Sequence, residues 1–313
     1  MGEGKFKRPE IIRPPSEWRS YYLPVTSGCS NHTCTFCNYY GKKLRLRPKE
    51  EVKEEINALY MFKRHNMVLP GIDPLVYYLA MEWDCKRVFL QDGDALVYPY
   101  EDLLEVLRYL NEKFPEVERI SCYATPQDLL RRTVGQLRAL REQKLSLLYV
   151  GLESGSDEIL QKVRKGVKAQ DMIEASRKAK EAGIALSVTV ILGLGGVDKS
   201  EEHAFETARV LSLMDPEYAA ALTLMFVPGT PLYEDWKKGA FKPIDPFQSL
   251  RELRIIVENV NFSHCFFSSM HASNYVAIRG WLPEEKERML KHLDALIERG
   301  DPSLLRPEYM RAL

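Results

Sequence analysis

The sequence predicts an α/β fold built on a mainly parallel sheet. Six short runs rich in Val, Ile, Leu, Tyr or Phe indicate strands, and segments with helical periodicity separate them. Hairpin signals between the runs are few, and strands that alternate with helices favour right-handed βαβ crossovers. A doubly wound sheet would show the same alternation, so the pattern alone does not predict a barrel.

The predicted strands are Tyr21 to Thr26, Arg87 to Gln91, Arg119 to Tyr123, Ser146 to Gly151, Ala185 to Leu192 and Ala220 to Val227. A first helix is expected after Pro48, because proline is favoured at a helix start and acids follow in the first turns. Further helices are expected at Tyr100 to Lys113, Leu130 to Gln143, Asp157 to Val163, Gln170 to Ala182 and Ser200 to Met214. The Pro- and Gly-containing segment 69–74 indicates an insertion between the first helix and the second strand.

The rhythm of strand and helix is lost after Pro231. A helix near Phe247 to Glu258, a strand from Asn261 to Phe267 and a helix from Pro283 to Glu298 predict a C-terminal α+β extension. The cluster of cysteines described below lies directly behind the first predicted strand, on a loop at its C-terminal end.

Composition excludes several classes of protein. Hydrophobic residues make up 45% of the 313 residues, enough for a sizeable core, and 44 Lys and Arg balance 44 Asp and Glu. This neutrality makes nucleic-acid binding through the whole surface unfavourable without excluding a local site, and the basic run Lys42 to Lys49 is more typical of a solvated face than of an RNA contact. The longest apolar runs are far shorter than the ~18 residues of a membrane span, so a cytoplasmic protein without a membrane partner is expected.

Three of the six cysteines crowd into nine residues, as Cys29, Cys34 and Cys37. This crowding indicates a metal site. Iron-sulfur electron carriers ordinarily use four cysteines, so three favour a [4Fe-4S] cluster in which one iron lacks a protein ligand. His32 lies between them, and a closed Cys3His zinc site is the alternative. In that case the chain would be a non-catalytic zinc- or cluster-binding interaction protein.

The cysteine loop resembles the cluster-binding motif of radical S-adenosylmethionine (SAM) enzymes, with Phe36 at the aromatic position and a first gap one residue longer than usual. Three further segments resemble the family in the same order, namely 91–94, 150–156 and 191–196. The second is similar to the signature of the Elp3, MiaB and coproporphyrinogen dehydrogenase branch. The resemblance implies six residues around SAM, which are Phe36, Asp94, Glu153, Ser187, Leu192 and Gly193.

The resemblance implies a partial (β/α)6 TIM-like barrel at residues 21–230, preceded by an N-terminal arm at 1–20 and followed by an extension at 231–313 that covers the barrel. It also implies two cofactors, a [4Fe-4S] cluster and SAM, and an external one-electron reductant such as flavodoxin or ferredoxin. The expected reaction is reductive cleavage of SAM to methionine and a 5′-deoxyadenosyl radical, which abstracts hydrogen from a substrate.

The substrate side is less constrained. Tyr123, His271 and Asn274 offer polar side chains near predicted strand ends and are the substrate-side candidates. A small molecule is favoured over a macromolecule, and a tRNA- or nucleotide-modifying enzyme is the alternative within the family. The isolated Cys85, Cys122 and Cys265 are too far apart to hold a compact second cluster, and their role stays unassigned.

Overall fold

The computed structural model describes residues 6–312, which form eleven α-helices and ten β-strands. The strands are β1 (Tyr21–Pro24), β2 (Thr26–Ser27), β3 (Arg45–Leu46), β4 (Arg87–Gln91), β5 (Arg119–Ala124), β6 (Leu145–Glu153), β7 (Ala185–Leu192), β8 (Tyr218–Thr223), β9 (Cys265–Ser268) and β10 (Arg279–Leu282). The helices are α1 (Lys49–His65), α2 (Pro74–Glu82), α3 (Tyr100–Lys113), α4 (Pro126–Arg131), α5 (Val134–Glu142), α6 (Asp157–Lys162), α7 (Ala169–Glu181), α8 (Ser200–Met214), α9 (Pro231–Lys237), α10 (Pro246–Asn259) and α11 (Lys286–Arg299).

Eight strands belong to one sheet, in the order β1-β4-β5-β6-β7-β8-β9-β10. The pairs β1–β4, β4–β5, β7–β8 and β8–β9 are parallel, and β9–β10 is antiparallel. The short strands β2 and β3 form a separate antiparallel pair. The predicted α/β class with a mainly parallel sheet is therefore confirmed.

The chain divides into two compact units, each with its own apolar cluster. The first comprises 6–32, Gly41–Tyr149 and Lys178–Ala185, and its aromatic cluster contains Tyr22, Phe89 and Tyr149. The second comprises Thr33–Tyr40, Val150–Arg177 and 186–312. Its apolar cluster is formed by the buried residues Ile159, Val163, Leu194, Leu232 and Phe241.

Two of the predicted strands, β4 and β7, have the predicted bounds. The sixth differs, because β8 begins at Tyr218 and ends at Thr223 instead of Val227. The apolar run continues past the strand since Leu224 and Phe226 pack against the apolar cluster of the second unit. The hydrophobic residues after Thr223 therefore reflect tertiary packing and not membership of the strand.

The helix predicted at Leu130 to Gln143 is two helices, α4 and α5. Thr133 begins the second one, and its hydroxyl accepts a hydrogen bond from the Gln136 N–H at 3.1 Å. The Gln136 side chain accepts in return from the Thr133 N–H, which completes a capping box. This cap is visible in the sequence and outweighs the continuous helical periodicity.

The predicted domain boundaries at residues 20 and 230 stay a prediction, and residues 1–5 of the predicted arm lie outside the described residues. Within 6–312, every helix is too short or too polar to cross a membrane.

Candidate functional site

The cysteine loop begins directly behind β2. Gly28 has φ +89°, and a Cβ there would lie 2.8 Å from the Lys43 carbonyl oxygen, so only glycine fits. Its N–H donates to Asp92 Oδ2 at 2.9 Å. The hydroxyl of Thr26 accepts from the Asp92 N–H at 3.0 Å and lies 3.2 Å from the Asp94 carbonyl oxygen. The chain before Cys29 is thus fixed to the segment that follows β4.

Cys34 and Cys37 belong to the second unit. Backbone hydrogen bonds hold the residue after Cys34, since the Thr35 N–H donates to the Val163 carbonyl and its carbonyl accepts from the Leu232 N–H, both at 3.0 Å. Burial raises the pKa of the Cys34 thiol to about 11, although nearby Lys165 lowers it. The thiol is therefore neutral near pH 7, and binding to iron would release its proton.

Phe36 packs against the apolar cluster of the second unit. Leu194, a member of that cluster, belongs to the glycine-containing turn 193–196 that follows β7. The aromatic residue predicted beside SAM therefore helps to hold the cysteine segment on this turn.

Asp94 lies in the first unit, behind β4, and is fully buried. The Ser30 hydroxyl is within hydrogen-bond distance of Asp94 Oδ2 and lies 3.1 Å from Asp128 Oδ2. Burial and the neighbouring Asp128 raise the pKa of Asp94 well above its usual range. Burial opposes the ionisation of Asp128 as well, but hydrogen bonds from Asp94, Thr125 and Ser30 keep the pKa of Asp128 below its usual range. Of the two carboxyls, Asp128 therefore ionises first, and Asp94 keeps its proton to higher pH.

The second oxygen of Asp94, Oδ1, is buried and has no hydrogen-bond partner of good geometry among the described residues, although the nearby Val97 N–H acts to lower the pKa of the carboxyl. An unpartnered buried carboxylate oxygen is costly unless a ligand completes it. An ammonium group such as that of SAM would supply the missing donor and charge, and three thiols on one loop are the donor set of a cluster with an open iron. These residues fit both cofactors, although within 6–312 no three His, Cys, Asp or Glu side chains form a preassembled metal site.

Glu153 ends β6 with φ +65°, and its Oε1 lies 2.8 Å from Lys165 Nζ. Both side chains are largely buried. A Cβ on Gly151 would lie only 1.9 Å from Glu153 Oε1, so glycine is required for this carboxylate to take its position. Lys165 also acts on Cys34 electrostatically. The predicted SAM residue is thus part of an ion pair beside a cysteine.

Residues of β7 alternate between a half-buried and a buried face. Ser187 lies on the half-buried face, and Leu192 lies on the buried one. A contact of Leu192 with SAM would therefore involve its backbone. Thr189 shares the face of Ser187 and lies two residues, about 6.6 Å, closer to the C-terminal end of the strand. Thr189 is thus a further candidate on this face, and alternation along the strand could have indicated it.

Gly193, with φ +82°, is held by a residue that the sequence analysis did not identify. Its N–H donates to Glu252 Oε2 at 2.7 Å, and Ser200 donates to Glu252 Oε1 at 2.6 Å. His203 donates from Nε2 to the Ile191 carbonyl at 3.0 Å, so Nδ1 accepts from the Ser154 hydroxyl at 2.8 Å. This buried network joins the ends of β6 and β7 to α8 and α10.

The three substrate-side candidates differ in their surroundings. Tyr123 lies in the aromatic cluster of the first unit, with its ring centroid 5.2 Å from that of Phe89. Burial raises the pKa of Tyr123 well above its usual value. The Tyr123 ring therefore packs in the core of the first unit, and its role in substrate binding stays a prediction.

Both polar atoms of the Asn274 side chain form hydrogen bonds within the chain. Its Oδ1 accepts from Thr223 Oγ1 at 2.9 Å, and its Nδ2 donates to the carbonyls of Ala221 at 2.7 Å and Ser269 at 2.9 Å. Asn274 thus ties the loop after β9 to the end of β8. His271 is half-buried with Nδ1 2.9 Å from Ser273 Oγ, and burial and Arg306 lower its pKa. Roles of these two residues in substrate binding stay a prediction.

Asp128 was also missed by the sequence analysis, and a signal for it exists. Thr125 caps α4, with Pro126 in the first turn and Asp128 three residues after the cap. This is a helix-start pattern of the Ser/Thr-x-x-Asp type. It places a carboxylate at the end of the strand next to β4, where Asp94 lies.

Comparison with known proteins agrees with this arrangement. A family model described as the radical SAM superfamily matches residues 23–208. A putative methylthiotransferase from Methanocaldococcus jannaschii is 26% identical over 179 residues, which cover 55% of this chain and 34% of that protein. A tRNA-2-methylthio-N(6)-dimethylallyladenosine synthase from Clostridium tetani is 24% identical over 237 residues, which cover 71% of this chain and 47% of that protein. The chain thus spans a third to a half of the length of these relatives.

Among solved structures, coproporphyrinogen III oxidase from Escherichia coli, described as a radical SAM enzyme, matches with a TM-score of 0.53 at 16% identity. The match covers 76% of this chain and 51% of that one. It shows a shared fold, as the resemblance implied. The family model spans more than half of the sequence, and the chain therefore belongs to the radical SAM superfamily, a family of enzymes that use a [4Fe-4S] cluster and SAM.

Proposed function

We propose that the chain cleaves SAM reductively and directs the resulting radical at a C–H bond of a substrate. Cys29, Cys34 and Cys37 would hold the [4Fe-4S] cluster. When bound and reduced, the cluster supplies the electron that breaks the C5′–S bond of SAM and leaves methionine and a 5′-deoxyadenosyl radical. The substrate, and what the radical becomes, are not assigned.

The observation that carries this proposal is the buried acid pair of Asp94 and Asp128. Asp94 has a raised pKa and a buried oxygen without a hydrogen-bond partner, directly behind a parallel strand. An ammonium group at this oxygen would favour the ionised form of Asp94 and compensate the charge of the pair. Ser30, the residue after Cys29, connects this pair to the cysteine loop.

Other residues of the chain would bind and orient SAM. Ser187, Thr189 and the backbone from Leu192 to Gly193 would position the nucleoside part of SAM, and Glu153 would be held near it by Lys165. Fixed positions matter because a radical enzyme's protein mainly orients the reacting atoms and excludes water. The buried network behind Gly193 would keep the turn in place without touching SAM.

The test is anaerobic reconstitution with iron and sulfide, followed by dithionite reduction and quantification of 5′-deoxyadenosine. We expect about four irons per chain, from the cluster stoichiometry, and 5′-deoxyadenosine that depends on SAM and reductant. Cys34→Ser should abolish both the cluster and the product. The matched variant Cys85→Ser, which changes a buried cysteine outside the loop, should retain both.

Two outcomes would contradict the proposal. One is an intact cluster that yields no 5′-deoxyadenosine. The other is stoichiometric zinc bound by the loop in a protein without iron, which would support a structural Cys3His site.

A tRNA substrate is the second candidate, because the relative from Clostridium tetani is named for a tRNA modification. The neutral total charge favours a small molecule instead. Binding of total tRNA to the reconstituted protein separates them. A tRNA enzyme should bind with an affinity that falls steeply with salt, whereas an enzyme for a small molecule should show only weak binding of this kind.

A further inference from the structure

The chain on either side of the cysteine loop carries an exposed cationic surface. Within the described part of the first unit, Lys7, Lys42, Lys43 and Arg45 are all exposed, and we call them the cationic patch. Lys7, Lys43 and Arg45 line one shallow pocket together with Ser27, two residues before Cys29.

Backbone contacts hold this patch close to Cys29. Arg45 in β3 is the register partner of Ser27 in β2. Two residues of chain span at most about 7 Å, so Cys29 lies within that distance of Ser27. Gly28 packs against the peptide group of Lys43, since a Cβ there would meet its carbonyl oxygen at 2.8 Å. Lys43 and Arg45 therefore cannot move away from Cys29 without disrupting the β2–β3 pair or the contact at Gly28.

Two cations of the patch, Lys43 and Arg45, differ from the next two cations along the chain. The next two cations along the chain are neutralised, because Arg47 pairs with Glu55 at 2.6 Å and Lys49 with Asp102 at 3.1 Å. Within residues 6–312, by contrast, Lys43 and Arg45 form no ion pair. Glu10 lines the same pocket and offsets one charge. A chain with zero net charge thus presents a local positive field beside its cluster loop.

We propose that the cationic patch is the docking surface for an acidic one-electron carrier protein that reduces the cluster. The inference rests on the proposed function, since it requires a cluster at Cys29. The reduced carrier would give up one electron, which would convert a [4Fe-4S]2+ cluster held by the cysteine loop to [4Fe-4S]+. No bond is made or broken and no proton is transferred in this step.

The composition of the patch fits a transient protein encounter better than nucleic acid. Weak electron-transfer complexes bury less than about 1,200 Å², and complementary charge raises their rate of encounter rather than their strength. Leu46, exposed beside Arg45, offers the apolar contact that such a small interface uses. A single-stranded nucleic acid would need a longer basic track with aromatic side chains for stacking. The exposed basic track is short here, because the next cations along the chain, Arg47 and Lys49, are held in ion pairs.

The test compares two reductants on the reconstituted enzyme. Reduced flavodoxin is the acidic carrier, and dithionite is the small reductant that needs no docking surface. The double variant Lys43→Glu/Arg45→Glu should lower the second-order rate of cluster reduction by flavodoxin at least about tenfold at low salt. High salt should shrink the difference, because screening removes the attraction. Production of 5′-deoxyadenosine with dithionite should not change.

A matched control and a binding measurement complete the design. Arg108→Glu makes the same kind of charge reversal at an exposed position of α3 and should leave flavodoxin reduction unchanged. Flavodoxin binding, measured by biolayer interferometry, should weaken in the double variant and not in the control. These binding data do not depend on turnover.

Three outcomes would contradict either the docking surface or the proposed function, and they can be told apart. Equal flavodoxin rates in the double variant and the wild type would overturn the docking surface while leaving dithionite-driven SAM cleavage, and so the proposed function, intact. Loss of tRNA binding with unchanged flavodoxin kinetics would overturn it in favour of an RNA surface. Absence of 5′-deoxyadenosine with dithionite in the wild type would refute the proposed function itself.

Discussion

Asp94 and Glu252 are both buried carboxyl groups near strand ends, but they differ in their hydrogen-bond partners. Each follows or faces the end of a parallel strand, each is almost fully buried, and burial raises the pKa of each. Both oxygens of Glu252 accept hydrogen bonds, from Gly193 and Ser200. Asp94 has one oxygen without a donor and a second carboxyl, Asp128, beside it.

The difference distinguishes a carboxyl group whose hydrogen bonds a ligand would supply from one whose hydrogen bonds the protein itself supplies. Burying a carboxyl group stabilises a fold only when hydrogen bonds replace the lost water. Glu252 meets that condition with groups of the protein, so its role is to hold the Gly193 turn. Asp94 does not meet it, so we assign it the contact with the ammonium group of SAM.

The largest expected effect is on SAM affinity in Asp94→Asn. Loss of one partner of a buried charge pair costs about 2–5 kcal/mol, which corresponds to a Kd at least about 30-fold weaker. The neutral amide still pairs with Ser30 and Asp128, so the free energy of unfolding should stay the same or rise. Equilibrium dialysis of SAM against the reconstituted variant measures the first effect, and urea denaturation the second. Unchanged SAM affinity would remove Asp94 from the site.

Glu252→Ala should show the reverse pattern. It leaves the buried Gly193 N–H and Ser200 hydroxyl without acceptors and opens a cavity, so we expect a loss of about 2–4 kcal/mol in the free energy of unfolding. Glu252→Gln keeps an acceptor for Gly193 and a donor for Ser200 and should restore most of that loss. Chemical denaturation of both variants is the measurement. If Glu252→Gln weakens SAM binding as strongly as Asp94→Asn, the distinction between the two carboxylates is wrong.

The smallest effect is a change in how stability depends on pH. Burial raises the pKa of Glu252 from 4.5 to about 7, so between these values the fold holds a proton that the unfolded chain has released, and stability falls as pH rises. Burial lowers the pKa of His203 from 6.5 to about 4, so its contribution rises with pH over nearly the same range. The two trends oppose each other in the wild type.

Glu252→Gln removes the first trend and leaves the second. Its free energy of unfolding should therefore climb more steeply than that of the wild type between pH 4.5 and 6.5, by an amount on the order of 1–3 kcal/mol. Urea titrations at a series of pH values provide the comparison. Parallel curves for variant and wild type would show that Glu252 does not titrate in this range.

Much of the fold could be predicted because long segments have one clear period. α3, α8, β4 and β7 have the predicted bounds, and each combines regular apolar spacing with clear ends. The β2–β3 pair and β10 were not predicted, since two to four residues are too few to show alternation. Where the apolar run after β8 misled the prediction, tertiary packing of Leu224 and Phe226 was the cause.

Candidate site residues could be proposed from the sequence where they lie in contiguous motifs. The cysteine loop, Asp94, Glu153 and Gly193 stand in short segments of distinctive composition. Asp128 raises the pKa of Asp94 from 34 positions away along the chain. Glu252 accepts from the Gly193 N–H across 59 positions, and His203 is bonded to Ser154 across 49. Only the folded chain brings such residues together, so sequence spacing could not identify them.

The most direct test of the central claim is electron paramagnetic resonance of the reduced, reconstituted protein before and after SAM is added. A cluster with an open iron predicts a [4Fe-4S]+ signal whose shape changes on addition of SAM in the wild type and does not change in Asp94→Asn at the same SAM concentration. A signal that SAM leaves unaltered in the wild type would contradict the account.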